Sequence, residues 1–211
     1  LVLEGLFGEV EKVISTKELI DNKTLANLNI ECIIFKHKEE DCKLVKDYTY
    51  ADEINYLVLQ PNRNNFISRL CNSLEGNTLC LYQLVEKHGT TLYDLMKDFD
   101  RKVFFVHGGT DAKTRNDIRG IVEKEKNAII IASYGTFSTG INIRNINNVV
   151  FSSPSKSRIR ILQSIGRGLR RSDIKDTIRL FDLSDDLSYK SKMNFTLNHF
   201  NERLNIYNEE Q

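Results

Sequence analysis

Two hydrophobic patterns take turns along most of this chain. Short, nearly unbroken apolar runs rich in β-branched residues occur at Ile30 to Phe35 (IECIIF), Thr78 to Tyr82 (TLCLY), Lys102 to Val106 (KVFFV), Ala128 to Ala132 (AIIIA), Asn148 to Phe151 (NVVF) and Thr177 to Phe181 (TIRLF). Between them lie stretches whose apolar residues return at helical spacing: Ala51 to Leu59, Arg63 to Leu74, Thr91 to Asp98, Asp111 to Lys124, Ser157 to Leu169 and Leu187 to Leu204. Strand-like and helix-like segments in alternation predict an α/β fold, a parallel sheet flanked by crossover helices. Pro61 separates the first two helices.

The opening residues fit this scheme poorly. Gly5 and Gly8 interrupt the apolar start, and TKELIDNKTL reads as a short helix and a turn. Residues 1–25 therefore read as the end of a preceding domain and a linker, 26–195 as the α/β domain, and 196–211 as a C-terminal helix. The chain starts without Met and stops within a helix-like pattern, so both ends read as cuts through a longer protein.

In open α/β sheets ligands bind beyond the carboxyl ends of the strands. Chemistry is therefore sought in HGGT after Val106, SYGTFSTGIN after Ala132, SSPSKS after Phe151 and DLSDD after Phe181.

Composition narrows the field only a little. The chain has 211 residues, 40% hydrophobic and 28% charged, with a formal net charge of +1, so a polyanion partner would have to be met by local clusters. The four cysteines lack C-x-x-C spacing and have no histidine beside them in a ligand pattern. Reduced, mostly buried thiols in a cytoplasmic protein are expected, with no structural metal. No apolar run approaches the length of a membrane span, and the start lacks the basic flank of a signal peptide.

The sharpest local charge lies in the predicted helix Ser157 to Leu169 and just beyond it. At about 100° per residue, Leu162, Ile165 and Leu169 share one stripe, whereas Lys156, Arg160, Gln163, Arg167 and Arg170 fall within about 80° on the other side. A solvated basic face is the plain reading. Such a face normally interleaves acids, and from Ser152 to Ser172 there are none. Gly166 and Gly168 weaken the helix and imply close approach by another surface, while arginine forks suit phosphate oxygens.

These residues carry a family resemblance. Gln163, Gly166, Arg167 and Arg170 form the pattern Q-x-x-G-R-x-x-R, which resembles motif VI of superfamily 2 helicases, in the second of their two RecA-like motor domains. Upstream, ASYGTFSTGIN resembles motif V, with a longer interval from Ser133 to Gly140 than the common form and Asn142 where Asp is usual. TLCLYQ resembles motif IV, and VHGGT with the helix holding Arg115 resembles the segment that follows it.

The resemblance implies a RecA-like parallel sheet and a set of roles. Arg167 and Arg170 would reach the γ-phosphate of ATP, with Gln163 ordering their network, and Gly140 and Asn142 would meet the nucleotide. Ser133, His107, Gly108, Gly109, Thr110 and Lys156 would contact nucleic-acid phosphates. The HGGT group also reads as a turn and helix cap, with Thr110 or Asp111 capping. The resemblance further implies action on branched DNA in recombination, repair and replication restart, in the host cytoplasm if the source is a phage.

Within the 211 residues there is no G-x-x-x-x-G-K-[ST] loop. Tyr50-Ala51-Asp52-Glu53 follows a polar segment and opens a helix, so Asp52 reads as an N-cap and not as part of a magnesium-binding acidic pair. ATP and Mg²⁺ would then be held mainly by an N-terminal motor domain, and this chain alone would be inactive.

Two other classes compete. A passive nucleic-acid module would spend Lys156, Arg158 and Arg160 on phosphates alone. A phosphoryl-transfer enzyme could place a metal on Asp182, Asp185 and Asp186, although such a cluster more commonly caps the next helix. Tyr48, Tyr50 and Tyr56 read as packing residues.

Overall fold

The computed structural model describes residues 27–140, 145–153 and 177–210. In chain order the elements are β1 (Asn27–Lys36), α1 (Glu39–Val45), α2 (Tyr50–Val58), α3 (Pro61–Ser73), β2 (Thr78–Tyr82), a π-helical turn (Val85–Gly89) and α4 (Thr90–Met96). They continue as β3 (Val103–Val106), α5 (Ala112–Val122), β4 (Ile129–Ser133), α6 (Tyr134–Gly140), β5 (Asn148–Phe151), β6 (Thr177–Asp186) and α7 (Phe195–Glu210). The strands form one six-stranded sheet in the order β1-β6-β5-β2-β4-β3, and every pairing is parallel.

Strands β2, β4 and β5 are buried along their whole length. Their alternate residues feed two separate cores. Leu79, Leu81, Ile130, Ala132, Val149 and Phe151 pack with Val122 of α5 on one face. On the other, Cys80, Tyr82, Ile129, Ile131 and Val150 pack with Ile67 and Cys71 of α3 and Leu92 and Met96 of α4. Helices on both faces are why these runs are continuously apolar instead of alternating.

Local chemistry sets several helix starts. Pro61 occupies the first turn of α3, where its missing N–H is harmless. The N-cap of α2 is Thr49, and Asp52 sits three residues on as the reciprocal partner of a capping box, so the reading of Asp52 as the cap is corrected by one helical turn. Asp111 caps α5 by accepting from the Thr114 amide at 2.9 Å.

Four expectations are revised. Helix α1 was absent from the predicted set because EEDCKLV is short and mostly polar; it is held by buried Cys42 and Val45 against Leu57 and Leu187. SYGTFSTGIN was expected as a loop, yet α6 begins directly after β4. Strand β6 runs five residues beyond Phe181, because β1 pairs with it over its full length and its carboxylates find buried partners. The last helix accordingly begins at Phe195 and not at Leu187. The predicted helix Ser157 to Leu169 and the N-terminal linker lie outside the described residues.

The three tyrosines pack. Tyr48 and Tyr56 meet edge to face at 6.2 Å, Tyr56 donates to Asp41 at 2.7 Å, and Tyr50 lies 5.1 Å from His199.

Buried Glu53 anchors α7. Its carboxylate accepts from the Phe195 amide at 2.9 Å, the Thr196 amide at 2.8 Å, the Thr196 hydroxyl at 2.7 Å and Asn194 Nδ2 at 2.9 Å. A carboxylate here satisfies orphan N–H groups and complements the helix dipole. Glu53→Ala is expected to lower unfolding free energy by about 2 to 3 kcal/mol, read from the urea midpoint; a midpoint equal to wild type would contradict this anchoring.

Candidate functional site

Because every strand runs the same way, the loops after β2, β3, β4 and β5 all leave from one edge. Tyr82 lies opposite Ser133, Val106 opposite Ala132, and Leu81 opposite Phe151. The chain leaves β2 toward β4 and β3, and leaves β5 toward β6, so the adjacent pair β2 and β5 forms the topological switch point. That crevice is where an open parallel sheet offers room to a ligand.

The loop after β3 folds on itself. The His107 amide donates to the Thr110 hydroxyl at 3.1 Å, the Gly109 amide donates to His107 Nδ1 at 3.1 Å, and the Thr110 amide donates to the His107 carbonyl at 3.0 Å. The His107 ring tilts against Phe105 with centroids 5.3 Å apart. Gly108 and Gly109 are exposed, and a Cβ on Gly109 would come within 2.9 Å of the His107 ring, whereas Gly108 has open space around it. The histidine thus stabilises the turn and presents the glycine backbone to solvent.

Ser133 ends β4 and is only 8% exposed. Its hydroxyl accepts from the Thr136 amide at 3.2 Å and lies 2.7 Å from the Thr136 hydroxyl, so it opens α6 as a cap. This capping bond also explains why a Gly/Ser/Thr-rich stretch is helical. Gly140 ends α6. Asn142, Lys156, Gln163, Arg167 and Arg170 lie outside the described residues.

The FDLSDD cluster neither caps the next helix nor gathers as a metal site. Asp182 is fully buried and receives Arg203 Nε at 2.7 Å, Arg203 Nη2 at 3.2 Å and the Tyr207 hydroxyl at 2.7 Å. Asp185, also fully buried, receives Arg63 Nε at 2.9 and 3.0 Å and lies 3.0 Å from His37 Nε2. Asp186 accepts from the Ser188 amide at 3.0 Å. Burial alone would raise the Asp185 pKa, but the Arg63 guanidinium and His37 outweigh it and hold the carboxyl below its ordinary value. Carboxylates already matched to guanidinium groups are unsuited to Mg²⁺. Among the described residues no group of three or more His, Cys, Asp or Glu could hold a metal ion. Cys42, Cys71 and Cys80 are buried, Cys32 is exposed, and all four are free thiols.

Sequence reasoning missed a polar group at the switch point, made by Arg63, Gln83, His88, Ser152 and Ser153. His88 belongs to the π-helical turn after β2, whose Gly89 packs so tightly that a Cβ would meet the Tyr82 ring at 2.5 Å. Its Nδ1 lies 2.8 Å from the Ser153 hydroxyl. Burial, and secondarily the Arg63 guanidinium, push the His88 pKa down to about 3, so the ring is neutral at any physiological pH. The only signal in sequence was the position of these residues just beyond β2 and β5.

Comparison with known proteins fits this geometry. A family described as the helicase conserved C-terminal domain matches residues 62–172. The chain is 34% identical to the ATP-dependent DNA helicase uvsW of Enterobacteria phage T4 over 98% of its own length and 44% of that protein. It is 26% identical to the putative ATP-dependent helicase IRC3 of Saccharomyces cerevisiae over 78% of its length and 24% of that protein. The chain therefore spans less than half the length of either curated relative. The crystal structure of T4 UvsW superposes with a TM-score of 0.76 at 32% identity, covering 98% of this chain and 42% of that one. The parallel RecA-like sheet expected from the sequence is the fold found. Among the described residues no helix is long and apolar enough to cross a membrane.

Proposed function

The chain belongs to the helicase conserved C-terminal domain family, and from that premise we propose that it is the second motor domain of an ATP-dependent DNA helicase or translocase acting on branched DNA. Work of this kind would serve recombination, repair and replication restart. The observation that carries the reading is the likeness to a DNA helicase along 98% of the chain, which spans the sheet, its carboxyl-edge loops and the arginine-rich segment.

In this reading Arg167 and Arg170 are donated to a cleft shared with an N-terminal motor domain of the same protein, which would hold the P-loop and the magnesium carboxylates. ATP, with Mg²⁺, supplies the phosphoryl group whose developing charge the guanidinium forks neutralise. Gln163 orders those forks, and Gly140 and Asn142 lie on the nucleotide side. Ser133, the turn from His107 to Thr110, and Lys156 grip phosphates of the DNA strand. Closing and reopening of the cleft would move that grip along the strand.

The passive-module reading uses the same basic residues without turnover. To separate the two, ATP hydrolysis by the protein carrying both motor domains is measured with and without forked DNA. Faster turnover with DNA, and more with a fork than with linear duplex, is expected. Salt-sensitive DNA binding with no dependence of turnover on DNA would favour the passive module and overturn the motor. The chain of 211 residues by itself is expected to show no turnover.

A further inference from the structure

Ser152 and Ser153 sit at the switch point, fully buried at the carboxyl end of β5. The Ser152 amide and hydroxyl both donate to the Leu81 carbonyl, at 3.0 and 2.7 Å, and its own carbonyl accepts from Arg63 Nη1 at 2.8 Å. The Ser153 hydroxyl accepts from the Gln83 amide at 3.1 Å and lies 2.8 Å from His88 Nδ1, while its carbonyl accepts from the Tyr134 hydroxyl at 2.9 Å. These partners come from α3, from the segment after β2, and from the first residue of α6 after β4.

An ordinary strand end needs much less. Its last carbonyls are satisfied by water or by a local turn, and a buried ion pair such as Arg63 with Asp185 adds little net stability for its desolvation cost. The best-attested use of such a pair is to fix one register. Two atoms of the group, Arg63 Nη2 and His88 Nε2, are buried and lack a hydrogen-bond partner among the described residues. Unsatisfied buried polar atoms are uncommon and mark places where structure serves something other than stability. The neutral imidazole matters too, because a charged ring beside Arg63 would repel it.

We propose that His88, Tyr134 and Arg63 are positioning residues that tie the loops after β2 and β4 to the end of β5, so that DNA held by those loops sets the direction in which the chain leaves toward Arg167 and Arg170. This rests on the function proposed above. It assigns to Ser152 and Ser153 the junction through which DNA binding stimulates ATP turnover.

The test uses the protein carrying both motor domains, with ATP turnover measured against the concentration of forked DNA. Tyr134→Phe removes the hydroxyl and keeps the ring, which meets Phe151 edge to face at 5.9 Å. It is expected to lower the ratio of DNA-stimulated to unstimulated turnover roughly 2- to 30-fold, the range found for residues that modulate coupling. The DNA concentration for half-stimulation and the melting temperature should move far less. His88→Leu should act in the same way, and His88→Asn, whose amide can still reach the Ser153 hydroxyl, should recover most of the ratio. Stimulation equal to wild type in both Tyr134→Phe and His88→Leu would overturn the proposal and leave the motor reading standing. A purely structural role would lower the melting temperature and leave the ratio intact, and that result also overturns it. Wild-type protein without any DNA stimulation would instead sink the motor reading, and this inference with it.

Discussion

Replacing Arg170 with alanine in the protein carrying both motor domains is expected to lower kcat for ATP hydrolysis about 10³- to 10⁵-fold. In barrier terms this is about 4 to 7 kcal/mol. DNA affinity should change little, because the guanidinium serves the transferring phosphoryl group and not the strand. The size follows from the chemistry. A planar fork aimed at charge that develops only in the transition state acts where water is excluded, and nothing else in the chain can take its place. Arg170→Lys should recover little, since a point-like ammonium cannot make two parallel hydrogen bonds. Single-turnover kinetics, with DNA binding measured beside them, decide the matter. If Arg170→Ala keeps its turnover but weakens DNA binding and reduces the salt slope by about one, the arginine belongs to a phosphate contact and the finger assignment is wrong.

The second large effect concerns stability. Asp185→Ala strips the buried Arg63 side chain of its carboxylate, which it meets at 2.9 and 3.0 Å, and leaves a guanidinium with nowhere to go. Breaking one side of such a pair costs about 3 to 5 kcal/mol, a large share of the stability of an ordinary domain. Urea unfolding should show the loss as a lower midpoint. Replacing both partners with apolar residues, Arg63→Met together with Asp185→Leu, should restore much of the lost stability, because no charge is then stranded. If the double variant is no more stable than Asp185→Ala, packing and not charge is what the site requires. The same carboxylate gives a pH signature. Its folded pKa lies below the ordinary value of 3.8, so its contribution is fully present above that value and is lost as the pH falls through the folded pKa. Wild-type stability should therefore decline more steeply below about pH 3.8 than that of the double variant.

Much of the fold was legible because it depends on local patterning. AIIIA and TLCLY are continuous apolar runs since helices cover both faces of β4 and β2, and continuous runs read as buried parallel strands. Pro61 and the cap at Asp111 also act within one helical turn, so their effects could be read from neighbouring residues. FDLSDD misled because carboxylates in a strand look like a turn until their partners are known. Arg63 is 122 residues from Asp185 in sequence, and Arg203 is 21 residues from Asp182. The stretch after β4 misled in the other direction. Its composition favours a loop, but one hydroxyl at Ser133 supplies the cap and Phe137 packs against the core.

The sequence by itself determined the parallel sheet and the placing of HGGT, Ser133 and SSPSKS directly after strands, because strand period and turn chemistry are properties of adjacent residues. It also determined that a cluster of arginines lacks acidic neighbours. Only the tertiary structure decided which buried charges cancel, that Glu53 anchors the last helix, and that Arg63, His88 and Tyr134 converge on Ser152 and Ser153. Those outcomes are long-range pairings. Their energy comes from desolvation and hydrogen-bond geometry, which exist only once distant segments have been brought together.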